Sequence, residues 1–195
     1  MADNQIENPS EMVAPERLLE MAKSGEIPVE FTDQFPTTFT QENMVRFGKG
    51  EITWGELQGI SLQEAYSIAD IGYTLFQQGR LNEAQALYEA LVMANPADAY
   101  FHGMLGAIYA KKNLKDKALE EYEIAISQDP KAVSARVNRA ELLLEKGNVE
   151  QALADLKSAI ELDPKGENPS TTRARAIAAL TAAIVQEKLN PKPKP

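Results

Sequence analysis

The chain has 195 residues, no cysteine and a net charge of −9. The missing cysteines exclude disulfides, thiol nucleophiles and thiolate metal sites. The acidic balance argues against a nucleic-acid binder, which needs a basic face, and no stretch reaches membrane-spanning length. The acidity is uneven: residues 1–64 hold 12 acids and 4 bases, residues 65–195 hold 17 acids and 16 bases. An acidic arm reads first as a solubilising segment and otherwise as a shield for a sticky groove or a basic partner. No basic stretch followed by an apolar run opens the chain, which predicts no signal peptide and a cytoplasmic protein.

In chain order, residues 1–40 form the acidic, partly disordered arm. A short helix is expected at residues 15–23, stopped by Gly25. Residues 26–39 then suit an extended segment with Phe31, Phe35 and Phe39 as anchors. Residues 41–64 carry Met44, Val45, Phe47, Ile52, Trp54, Leu57 and Ile60 between glycines, which predicts two short helices packed against the helix C-terminal to them. Ser61 and Glu64 have capping-box spacing, so that next helix starts just after Ser61.

Pro96, Pro130 and Pro164 stand 34 residues apart and close three blocks, 65–98, 99–132 and 133–166. Each block is small at position 8 (Gly72, Gly106, Ala140), alanine at position 20 (Ala84, Ala118, Ala152) and large at position 24 (Tyr88, Tyr122, Leu156). Small residues at 8 and 20 let two helices approach, and the large residue at 24 fills the space beside them. Gly79, Asn113 and Gly147 stand where the first helix must stop in a left-handed turn. Asn82 and Asn148, and more loosely Asp116, are expected to cap the second helices. A period of this length with this pattern resembles the tetratricopeptide (TPR) repeat. The implied fold is an all-α solenoid of three helix–turn–helix repeats. Asn168-Pro169 opens one further helix, to residue 189, with Ile177, Leu180, Ile184 and Val185 on one side; it reads as a C-terminal capping helix. Residues 190–195 read as a disordered tail.

In such a stack the first helix of each repeat lines the concave surface. Positions 2, 5, 9 and 12 share a helical face. They are Tyr66, Ala69, Tyr73 and Phe76 in the first repeat, then Tyr100, Gly103, Ala107 and Ala110, then Ser134, Val137, Glu141 and Leu144. Tyrosines offer apolar area with a polar tip, and small residues make room. The face suits an extended, mostly apolar peptide. Two other readings stand beside it: Tyr66 and Tyr73 pack on the chain's own arm, or the arm's Pro28–Phe31 stretch lies in the groove of its own or a neighbouring chain.

The run Gly50–Ser61, with Ala65-Tyr66, Ala69 and Gly72-Tyr73, resembles the entry into the first repeat of the class II chaperones of bacterial type III secretion, the SycD/LcrH kind. Tyr88–Leu91, Asp98–Phe101 with Leu105–Ala107, and Ala140–Gly147 resemble their later helices. The likeness covers roughly residues 48–188. It implies a chaperone that holds an extended apolar segment of a translocator before secretion, with Tyr66 and Tyr73 on the groove. It also implies a homodimer through the N-terminal region and first repeat. Arg136 and Arg139 depart from it, at positions where apolar residues are usual, and are expected to pair with neighbouring acids. The alternative is a general TPR scaffold in a bacterial assembly or regulatory complex.

Other classes fit poorly. The co-chaperones that grip heat-shock-protein tails carry Lys and Asn at positions 5 and 9 of the first helix, where this chain has Ala69 and Tyr73. The single histidine, His102, occupies a slot that packs between helices and reads as a core residue. There is no metal-ligand spacing and no phosphate-binding glycine loop, so neither an enzyme nor a cofactor is expected.

Overall fold

The computed structural model describes Thr38 and residues 40–189. The expected helix at 15–23, the aromatic anchors of residues 26–39 and the tail lie outside the described residues. Among the described residues there are nine helices and no strand: α1 Gln41–Gly48, α2 Trp54–Leu57, α3 Leu62–Gln77, α4 Leu81–Ala94, α5 Ala99–Lys111, α6 Lys115–Gln128, α7 Val133–Glu145, α8 Val149–Leu162 and α9 Pro169–Leu189. They fall into two compact units, divided between Glu64 and Ala65. No helix of the described residues is long and apolar enough to cross a membrane.

The first unit is small. Thr40 caps α1 by accepting from the Asn43 amide, and Thr53 forms a full capping box with Glu56 at the start of α2. Met44 and Leu57 are buried, with Phe47, Ile52 and Trp54 packed around them. Thr38 donates from its hydroxyl to the Leu57 carbonyl at 2.8 Å. Ser61 and Glu64 exchange capping hydrogen bonds at 2.9 and 3.3 Å, so α3 begins as its sequence predicts.

The second unit is a stack of helix pairs, and glycine decides how closely they pack. A methyl group added at Gly72 would stand 2.8 Å from the Tyr88 ring. The Tyr88 hydroxyl crosses to the Ala69 carbonyl at 2.9 Å. Burial raises the pKa of this phenol and that of Tyr122, so both stay protonated. In the third pair Ala140 and Leu156 take the same places, within a core of Val133, Val137, Leu143, Ala152, Ala159 and Ala174.

The turns inside the pairs share one geometry. Asn113 has φ 59°, alongside Gly79 at 75° and Gly147 at 82°. After each, the amide of the next residue donates back five residues, to Leu75, Tyr109 and Leu143. This closure tightens the helix end.

The expected caps of the second helices are not used. The residues preceding α4, α6 and α8 are Arg80, Leu114 and Asn148, and none makes a side-chain cap bond. Asn82 and Asp116 sit one residue inside their helices. They are claimed by lysines of the following repeat: Lys112 donates to Asn82 at 2.7 Å, and Lys146 pairs with Asp116. The left-handed turn delivers the chain straight into the next helix, which leaves no extended cap residue.

The α9 helix also differs from expectation. Its inward stripe is Thr171, Ala174, Ile177, Ala178 and Thr181, of which Thr171 and Ala174 are fully buried. Leu180 and Ile184 are 64% and 46% exposed, so they do not share that inward face. The preceding turn is held by Asp163, whose carboxylate accepts from the Gly166, Glu167 and Asn168 amides and from the Thr171 hydroxyl. These donors, led by Thr171, pull its pKa down.

Candidate binding groove

The first helices of the repeats, α3, α5 and α7, meet the start of α9 along one side of the stack. A cavity of about 810 Å³ opens along it. Phe76, Met104, Ala107 and Ala110 form an apolar wall, Tyr122 contributes to the lining, and Lys111, Lys115, Glu141, Glu145, Asn138 and Arg173 form a charged wall.

Of the residues singled out in the sequence, Phe76, Ala107, Ala110 and Glu141 line this cavity. Tyr66, Tyr73 and Tyr100 are 41%, 42% and 41% exposed and lie outside its lining. Tyr66 and Tyr100 stack with ring centroids 6.0 Å apart. The Tyr66 hydroxyl donates to Asp98 at 2.8 Å, while the other Asp98 oxygen caps α5. Partial burial, then the hydrogen bond to Asp98, pushes the Tyr66 phenol up to about 12, so it remains a donor. Gly103 is half-buried and does not line the cavity.

Three of the singled-out residues have their side chains turned inward. Ala69 is fully buried, beneath the bond its carbonyl accepts from Tyr88. Val137 is a core residue, and Leu144 packs against that core. The wall of α7 is instead Asn138, Glu141, Leu142 and Glu145; its positions 6, 9 and 13 are those that α5 presents as Met104, Ala107 and Lys111. The opposite side of α7 carries an ion pair to α8. Arg139 donates from two nitrogens to both oxygens of Asp155 at 2.7 Å, and Arg136 approaches the same carboxylate at 3.9 Å. Asp155 is buried on α8, so the two arginines that depart from the family pattern turn toward it. Sequence spacing missed Met104, Lys111, Asn138, Glu145, Ser170 and Arg173, because it counted the groove face through position 5, which packs inward at Ala69 and Val137. Position 6, shared by Met104 and Asn138, was the available signal.

Elsewhere His102 is buried, with Nδ1 at 2.6 Å from Glu121 and Nε2 at 3.0 Å from the Pro96 carbonyl. Both ring nitrogens face acceptors, which favours the doubly protonated ring. Its pKa is raised, first by Glu121. His102 therefore ties α5 to α6. No group of three or more potential metal ligands occurs among the described residues.

The family model that matches is the tetratricopeptide repeat, over residues 70–130 and 112–167. The chain is 33% identical over 122 residues to the low calcium response locus protein H of Yersinia pestis, covering 60% of this chain and 71% of that protein. Among solved structures it is similar to the type III secretion translocator chaperone SycD of Yersinia enterocolitica, with a TM-score of 0.61 and 25% identity, over 66% of this chain and 97% of that one. It is likewise similar to PcrH in complex with the chaperone binding region of PopD, with a TM-score of 0.59 and 25% identity, over 64% and 96% of the two chains. A type III secretion complex from Aeromonas hydrophila, at 20% identity and a TM-score of 0.66, shares the fold. The repeats, the helix after them and these relatives together make this chain a member of the class II type III secretion chaperones, the TPR translocator chaperones of the SycD/LcrH kind.

Proposed function

We propose that this protein is a cytoplasmic holding chaperone for translocator-type secretion substrates. It keeps an extended, partly apolar segment of its cargo in the concave groove until secretion. The observation that carries this reading is the open groove, with an apolar wall on α3 and α5 and half-exposed tyrosines beyond its lining on the same two helices. Relatives of the same architecture support it, since SycD was solved with a peptide of the translocator YopD and PcrH with the chaperone binding region of PopD. Of the residues picked from the sequence, Tyr66, Tyr73, Phe76, Tyr100, Ala107, Ala110 and Glu141 are the contacts this reading uses. Ala69, Val137 and Leu144 serve packing, and Gly103 leaves open space at its position.

The test is co-purification of the tagged protein from its native cell, with mass spectrometry of what accompanies it. One dominant partner with long apolar segments, lost to aggregation when the chaperone is removed, is the expected result. Several folded partners that remain soluble without it would point instead to an assembly scaffold.

A further inference from the structure

The charged wall of the groove is not balanced. Three cations, Lys111, Lys115 and Arg173, stand against two carboxylates, Glu141 and Glu145. Two of the cations are neutralised within the wall. Lys115 pairs with Glu145 at 2.8 Å, and Arg173 pairs with Glu141 at 3.1 Å while also donating to Asn138. Lys111 is exposed and has no ion-pair partner among the described residues.

That one unmatched cation lines a concave site is notable in a chain of net charge −9. A lysine in the last turn of α5 complements the helix dipole, but any position in that turn would do so. Lys111 instead sits one turn beyond Ala107 and next to Ala110, at the foot of the apolar wall. One helical turn rises about 5.4 Å. Alternate side chains of an extended peptide are spaced about 6.6 Å apart. A peptide that seats an apolar side chain against Ala107 and Phe76 thus brings its next same-side residue within reach of Lys111.

We propose that Lys111 is a specificity-determining residue of the groove, and that it takes a carboxylate of the bound segment within two residues of an apolar anchor. The assignment rests on the groove reading. It makes the cargo segment apolar–acidic rather than purely apolar.

The experiment is selection of random twelve-residue peptides displayed against the full-length protein, in parallel with K111Q, K111R and K111E. The expected result is enrichment of Asp or Glu beside apolar residues for the wild type and K111R. That enrichment should vanish with K111Q and turn toward Lys or Arg with K111E. A selected peptide made synthetically with both ends capped should then bind about 5- to 10-fold more weakly when its acid becomes the amide, as expected for a charge-assisted contact at a partly exposed site. K111Q should not distinguish the two peptides. Loss of affinity on capping the C-terminus, in place of loss on the acid-to-amide change, would assign the same carboxylate site to a chain end. Enrichment without acids, or acid enrichment unmoved in K111Q, overturns the role of Lys111. Recovery of no peptide at all by the wild type overturns the groove reading beneath it.

Discussion

Gly106 lies directly beneath the ring of Tyr122: a methyl group added there would stand 2.7 Å from one ring carbon and 2.8 Å from the next. Tyr122 is almost wholly buried and cannot swing away. The pairing recurs as Gly72 with Tyr88. In the third repeat both partners change together, to Ala140 and Leu156, so the space at position 8 is matched to the bulk at position 24.

G106A should therefore destabilise the protein by about 1–3 kcal/mol, the usual cost of overpacking, despite alanine's better helix propensity. Urea denaturation followed by helicity measures it. Pairing G106A with Y122L, which copies the third repeat, should recover part of the loss, and a purely additive double mutant would contradict the steric account.

Asp155 is buried and accepts from Arg139 through both oxygens, with Arg136 close by. D155A leaves two inward-turned guanidinium groups without their carboxylate. Removing one member of such a pair costs about 3–5 kcal/mol. Urea denaturation followed by helicity measures it, and a loss below about 1 kcal/mol in D155A would contradict the buried pair.

The buried His102 predicts a pH dependence. Its pKa is raised on folding by Glu121 and the Pro96 carbonyl. The contribution is therefore fully present below the unfolded value of about 6.5 and is lost as pH rises through the folded value. Thermal melts between mildly acidic and alkaline pH should show a component of stability that falls with rising pH. H102F should abolish that component, and a slope unchanged in a folded H102F would exclude His102 as its source.

Tyr66 and Tyr73 are half-exposed on α3, so their removal should spare the fold. Truncating aromatic anchors of an interface commonly costs more than about 1 kcal/mol each. Y66A with Y73A should weaken binding of the co-purified cargo at least about tenfold with helicity intact. Full affinity in the folded double mutant would remove the tyrosines from the groove. Y66F separates the contribution of the ring from that of the hydroxyl held by Asp98.

The repeat architecture was legible because its signals are local and periodic. Small residues at positions 8 and 20, a large one at 24 and a glycine or asparagine in each turn dictate helix, stop and close approach wherever the period places them. Part of the groove followed from the same count, since Phe76, Ala107, Ala110 and Glu141 lie on the face that helical spacing assigns. What remained depended on partners in other helices. Position 5 packs inward, as Ala69 and Val137 show, and position 6 takes the wall as Met104 and Asn138. The caps expected of Asn82 and Asp116 went to lysines thirty residues on. The sequence alone determined the repeat unit, because each unit specifies its own helices and their approach. Only the tertiary structure decided which charges face the groove, because the partners of Lys115 and Arg173 there, Glu145 and Glu141, come from another helix.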